Sequence, residues 1–258
     1  SETSRILRFL SRDAGVVSAM ARGVRRPGAR SAPGLDTFAQ GDLTLYVREG
    51  RDLQTLKEFS ITQPRRALGR DPLKLAAAGV LGELVLRHGG EGGDAALFDQ
   101  LAASLDALGA MPSGEVAHAL LYEGWATVVT LGYQPQLDVC PRCGRALSGD
   151  GGEAPDEGDA QQIGRFDFEA AGVRCASCSV GSAGPRLGPI ARRQLAQLLE
   201  GDRPADLARV RTHLRLLSDF ITYHVAGTRP LEAFRIFAAL MPPHTRDESV
   251  DSSERTHP

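Results

Sequence analysis

Two short cysteine spacings constrain this chain more than any other feature. Cys140-Pro-Arg-Cys143 and Cys175-Ala-Ser-Cys178 are separated by 31 residues, and the sequence has no other cysteine. A C-x2-C turn presents two thiolates from one tight knuckle, and four thiolates are the set that a tetrahedral Zn²⁺ takes. Gly144 directly follows the first pair, where a glycine lets the chain turn with positive φ and aim backbone amides at the sulfurs. The expectation is one structural Zn²⁺ held by Cys140, Cys143, Cys175 and Cys178. Two disulfides would need an oxidising compartment, and nothing at the N-terminus reads as a signal peptide. A thioredoxin-like site has one C-x-x-C, not two. A deaminase site needs H-x-E and P-C-x-x-C, but Val139 precedes Cys140 and none of the six histidines has Glu two positions on. The gap exceeds the usual ~15–20 residues between knuckles. Residues 148–160, SGDGGEAPDEGDA, account for the excess. They are acidic, Gly-rich and without apolar anchors, and read as a disordered insertion in the ribbon loop.

At 258 residues and 42% hydrophobic composition, the chain can bury a real core in one large or two to three small domains. No stretch approaches ~18 uninterrupted apolar residues, so no membrane span is expected. The formal net charge of −2 hides an asymmetry. Residues 1–30 carry seven arginines against Glu2 and Asp13, while acids concentrate in the insertion and after His244. A basic front end on a near-neutral chain points to a polyanion partner for that end.

Hydrophobic period divides the chain. Residues 1–62 read as four short strands: one around Ile6, Leu7 and Phe9, one over Val16–Met20 after an Asp13-Ala14-Gly15 turn, then Asp42–Arg48 and Leu53–Ile61. With Leu43, Leu45 and Val47 on one face and a basic loop over Arg22–Arg30, they suit a small antiparallel β-barrel. From Asp71 the period is helical, with a stripe of Leu73, Ala76, Ala77, Val80, Leu81, Leu84 and Val85. Further helices are expected around Leu97–Leu108, Val116–Val128, Pro189–Leu199, from Asp202-Arg203-Pro204 through Ile221, and from Thr228 through Leu240. Trp125 reads as core. His118, His213 and His224 read as packing or surface residues, and Glu115 and Glu123 as solvated helix charges.

The order of parts resembles the bacterial recombination mediator family RecO. Four stretches carry the resemblance: Glu2–Ile6, the basic Ala21–Pro27, the approach Leu131-Gly-Tyr-Gln-Pro-Gln-Leu-Asp-Val-Cys-Pro-Arg-Cys-Gly144, and Leu214–Leu240 with Tyr223-His224. The Leu131–Gly144 approach is the most specific. The resemblance implies an α+β multidomain fold. Its parts are an N-terminal OB-fold barrel over 1–65, whose first strand falls before Glu2, a helical domain over 66–139 and 181–241, and an inserted zinc ribbon over 140–180; the tail over 242–258 reads as disordered from its polar composition. It also implies a non-enzymatic protein that binds single- and double-stranded DNA and anneals complementary strands. It implies action with RecR to load RecA onto strands coated by single-stranded DNA-binding protein (SSB), binding of the SSB C-terminal tail, and a cytoplasmic, nucleoid-associated place.

On that reading Arg22, Arg25, Arg26 and Arg30 make phosphate contacts, with Arg5 and Arg8, then Arg48 and Arg51, as lesser candidates. Phe38 and Tyr46 are candidates for base stacking, set against ordinary packing. An apolar groove between helices, with an arginine nearby, would take the SSB tail. No Walker motif, no GxGxxG after a strand and no nuclease-type carboxylate cluster is found. The competing readings are a zinc-ribbon protein-interaction module, such as a transcription-associated adaptor, and a metal-dependent nuclease.

Overall fold

The computed structural model describes residues 4–22, 37–89, 92–147, 163–204, 207, 209–225, 227 and 229–242. The chain opens with strands β1 (Arg5–Ser11), β2 (Gly15–Ala21), β3 (Gln40–Tyr46) and β4 (Leu53–Gln63), in the sheet order β1-β2-β4-β3. All four fall where the two-residue alternation places them. Their inner face buries Ala19, Ala21 and Leu56 with Leu7, Phe9, Leu43, Leu45 and Phe59, and the Phe9 and Phe59 rings lie 5.4 Å apart. Val47, expected on that face, lies beyond the end of β3 and is exposed.

The antiparallel expectation needs correction at one pairing. β2 and β4 run parallel, with Ser18 opposite Leu53 and Met20 opposite Thr55. The reason is topological. β3 takes an edge position and does not pair with β2, and the Glu49–Asp52 turn folds β4 back between the two. Among the described residues the sheet is mixed and not a closed barrel, with β1 and β3 as its outer strands.

A one-turn helix α1 (Arg66–Gly69) leads into α2 (Pro72–His88), α3 (Ala95–Ala110) and α4 (Val116–Thr130). Asp71 caps α2 by accepting from the Leu73 amide at 2.9 Å, and Asp94 caps α3 from the Leu97 amide at 2.9 Å. These caps fix the helix starts. The α2 stripe is buried from Ala76 to Val85, with Leu73 half-buried, and Trp125 on α4 is fully buried with its ring 5.3 Å from that of Phe220.

Then come β5 (Gly164–Asp167), β6 (Gly172–Arg174) and β7 (Arg186–Leu187), in the order β6-β5-β7. Helices α5 (Pro189–Leu199), α6 (Val210–His224) and α7 (Glu232–Leu240) complete the described chain. Among the described residues helix α6 begins at Val210, directly after Arg209, which takes a left-handed backbone (φ 53°). Helix α7 packs on α2 and has no local side-chain cap. Its first amides are instead met by Glu83 of α2, which accepts from Glu232 N at 3.2 Å and Ala233 N at 2.8 Å.

The sheet and the helices are joined by Arg65, whose side chain is 5% exposed. Its guanidinium donates to the Phe38 carbonyl at 3.2 Å and Gln40 Oε1 at 2.8 Å on the β3 side. On α3 it reaches the Ala102 carbonyl at 3.2 Å and Asp106 at 2.7 Å. Arg65 itself holds φ at 40°. Replacing it leaves several part-buried acceptors without this donor at once, and an acceptor left unsatisfied in the interior costs about 1–3 kcal/mol. Arg65→Met is therefore expected to lower stability by about 2 kcal/mol or more, read from the urea midpoint; an unchanged midpoint would remove Arg65 from this role.

Candidate metal centre and nucleic-acid interface

The first knuckle is built on a bridge between Val139 and Ala146, closed by Cys140 N donating to the Arg145 carbonyl at 2.8 Å and Gly144 N to the Cys140 carbonyl at 2.9 Å. Gly144 has φ +69°, the turn conformation its position demanded. The second knuckle follows β6. A 3-10 turn over Ser177–Ser179 folds it, with the Ser179 hydroxyl donating to the Cys175 carbonyl at 2.8 Å.

The two knuckles bring all four sulfurs within 4.8 Å of one another. Cys140 and Cys175 are buried, Cys178 is half-buried and Cys143 is exposed. Cys143 Sγ and Cys175 Sγ lie 3.8 Å apart. A tetrahedron with Zn–S bonds of ~2.3 Å has S···S edges of ~3.8 Å, so the donor set and the spacing both fit such an ion. The protonation pattern points the same way. The Ser177 hydroxyl, 3.3 Å from Cys175 Sγ, and then the Cys178 amide pull the Cys175 thiol down to about 6. Burial opposes ionisation of Cys140, but the amides of Cys175, Arg142 and Cys143 outweigh it. Cys178, hydrogen-bonded to Cys175 and Cys143, is pushed up to about 12. Sulfurs this close cannot all ionise without a cation among them.

Of the basic residues singled out by sequence, Arg22 is exposed at the end of β2, and Arg5 is exposed where β1 meets that end, opposite Ala21. Arg25, Arg26 and Arg30 lie outside the described residues. Arg8 is turned to another use: its guanidinium donates to the Leu86 carbonyl at 3.0 Å, at the C-terminal end of α2, where a cation is favoured. Arg48 and Arg51 are exposed in the β3–β4 turn.

The two aromatics separate cleanly. Phe38 packs against the helical core, its ring so close to Gly82 that a Cβ there would lie 2.9 Å from it. It is therefore a wedge between sheet and helices and not a stacking platform. Tyr46 stays exposed, with Lys57 5.9 Å from its ring centroid.

Glu123 departs from its expected place. It is not a solvated helix charge; it is 8% exposed. It accepts from the Ser104 hydroxyl at 2.8 Å and from Arg203 at 3.0 Å. Its spacing four residues from Ala119 and from Thr127, both buried, placed it on the inner face of α4 and was the signal available in the sequence. Arg203 also lies over the Tyr122 ring at 5.4 Å. Arg203 and Tyr122 line a cleft of about 340 Å³ together with Met111, Glu115, His118, Ala119, Pro204 and Leu207.

Comparison with known proteins accords with this arrangement. Residues 1–65 match the family model Recombination protein O N terminal, and residues 69–231 match Recombination protein O C terminal. A DNA repair protein RecO of Anaeromyxobacter sp. (strain K) is 34% identical over 200 residues, 77% of this chain and 72% of the relative. One of Rubrobacter xylanophilus is 34% identical over 202 residues, 77% of this chain and 74% of the relative. One of Nocardioides sp. is 30% identical over 232 residues, 87% of this chain and 88% of the relative. An N-terminal sheet of OB-fold type, a helical body and a four-cysteine cluster thus define a protein of DNA repair. The chain belongs to the RecO family.

Cys143 is the exposed member of the cluster, so its oxygen replacement removes a thiol without opening a cavity. Cys143→Ser is expected to lose most bound metal by elemental analysis and to lower the thermal midpoint, because a structural metal contributes folding free energy. Full metal content in that variant would overturn the four-thiolate site.

Proposed function

We propose that this chain is a non-enzymatic recombination mediator. It binds single- and double-stranded DNA, anneals complementary strands and, with RecR, helps load RecA onto SSB-coated DNA. The observation that carries this reading is the match to both halves of one DNA repair family. Two features support it. Exposed Arg22 and Arg5 converge at one end of the N-terminal sheet, which continues in sequence into Arg25, Arg26 and Arg30. Tyr46 and Lys57 add an aromatic face and a cation on the same sheet. Arginines that neutralise phosphates release counterions and lower the repulsion between two strands, which is the physical content of annealing.

In this reading the four cysteines hold one structural Zn²⁺. Four protein thiolates fill a tetrahedral shell and leave no position for water or substrate, so the ion would fix the ribbon and supply no chemistry. The cleft at Arg203 is the place for the SSB tail, whose acidic end meets the guanidinium and whose apolar end meets Met111, Ala119 and Leu207. Glu123 and Tyr122 hold that guanidinium at the cleft wall. Among the described residues no helix is long and apolar enough to cross a membrane.

Neutralising Arg22, Arg25 and Arg26 together to Gln is expected to weaken single-stranded DNA binding at least tenfold. The slope of log K against log salt should flatten by about 0.7 for each phosphate that is no longer neutralised; an unchanged slope in a fluorescence titration would count against the basic loop. Arg203→Ala is expected to weaken binding of the SSB C-terminal peptide about tenfold while leaving DNA affinity in place. Undiminished peptide binding would remove the cleft, and wild-type protein that ignores the peptide would favour a ribbon-only adaptor.

A further inference from the structure

The ribbon sheet carries a row of three arginines that neither the metal centre nor the core requires. Arg165 on β5 is directly opposite Arg174 on β6 and directly opposite Arg186 on β7. The three therefore share one face, the reverse of the face on which Phe166, Val173 and Leu187 are buried. Neighbouring strands lie ~4.8 Å apart, so the row concentrates three positive charges across two strand spacings. Like charges directly opposite one another destabilise a sheet. Among the described residues, the ion pair made by this row is that of Arg174 with Asp167 on the same face. Arg165 donates to the Gly184 carbonyl at 2.7 Å, which orients the guanidinium without neutralising it. Arg186 is exposed. A three-stranded sheet this small is a costly place for such a row unless an anion completes it.

We propose that the Arg174–Arg165–Arg186 row binds the phosphodiester backbone of a nucleic-acid strand, as a second anion-binding surface apart from the N-terminal sheet. The inference rests on the reading of the chain as a DNA-binding mediator and names where the second strand lies. Guanidinium groups pair bidentately with phosphate, and a row of them suits a repeating anion. The row's own face offers Asp167 and Gly172 beside the arginines and no apolar anchor, so a peptide with an apolar end is served by the Arg203 cleft and not here. Two separated basic surfaces let each of two strands be neutralised without competing for the same arginines, which a single groove does not allow.

The test uses the full chain in three forms: wild type, Arg186→Gln, and Arg165→Gln with Arg186→Gln. The single variant guards against disruption of the Arg165 hydrogen bond to Gly184. Binding of a fluorescent oligo-dT strand is titrated across a salt series, and annealing of two complementary oligonucleotides is timed. The expected result is a three- to tenfold loss of affinity in the double variant. Its salt slope should be shallower by about 0.7 for each phosphate left without its arginine, and annealing should slow more than binding weakens. Arg186→Gln should show part of each effect with metal content and thermal midpoint unchanged. Variants that bind and anneal like wild type overturn this inference alone and hand the row to another partner, an acidic protein or the chain's own acidic insertion. Wild-type protein that binds no DNA overturns both readings.

Discussion

The burial of Phe166 against the helical body is the contact on which the rest of the molecule depends. Phe166 is fully buried, with its ring 6.0 Å from that of Phe220, which in turn packs on Trp125. Val173 and Leu187 from the same small sheet enter the same core. A ribbon this small has too little apolar area to hold itself together, and its fold is set by a metal-sized cluster of sulfurs. Its inner face nevertheless packs on α6 through Phe166 and Phe220. The cysteines and the helical core are therefore one energetic unit, and disturbing the sulfurs reaches Trp125 through Phe166 and Phe220.

Arg65 plays the corresponding part at the other end. Its buried guanidinium joins two elements that share little apolar contact, since the N-terminal sheet keeps its own small cluster around Leu56. Arg8, reaching the end of α2, and Phe38, wedged on Gly82, close the same seam. Polar ties of this kind orient the sheet while leaving its far end, with Arg5 and Arg22, open to a polyanion.

The elements legible in the sequence are those whose signal is local. Alternation located β1 to β4, the change to a helical period near Asp71 marked the start of α2, and paired C-x2-C spacings located the cysteine cluster. What stayed hidden depends on partners far along the chain. The parallel pairing of β2 with β4 follows from where β3 was displaced. Phe38 is like any loop aromatic until Gly82 stands opposite it. Glu123 sits on the inner stripe of α4, but the partners that satisfy it there, Ser104 and Arg203, lie 19 and 80 residues away. The arginine row was invisible for the same reason, because its members fall on three separate strands and become neighbours only through sheet register.

The capping of α7 by Glu83 has a consequence for how the chain assembles. The amides at the start of a helix need acceptors, and a segment of 9 residues is too short to persist as a helix unaided. Its acceptors come from a side chain 150 residues upstream. Helix α7 therefore becomes helical only by docking, after α2 is already in place. Contacts between such distant residues are formed late, at the cost of closing a long loop. Helix α7 thus reports on a residue near the start of the helical body, so its helicity and its docking are one event.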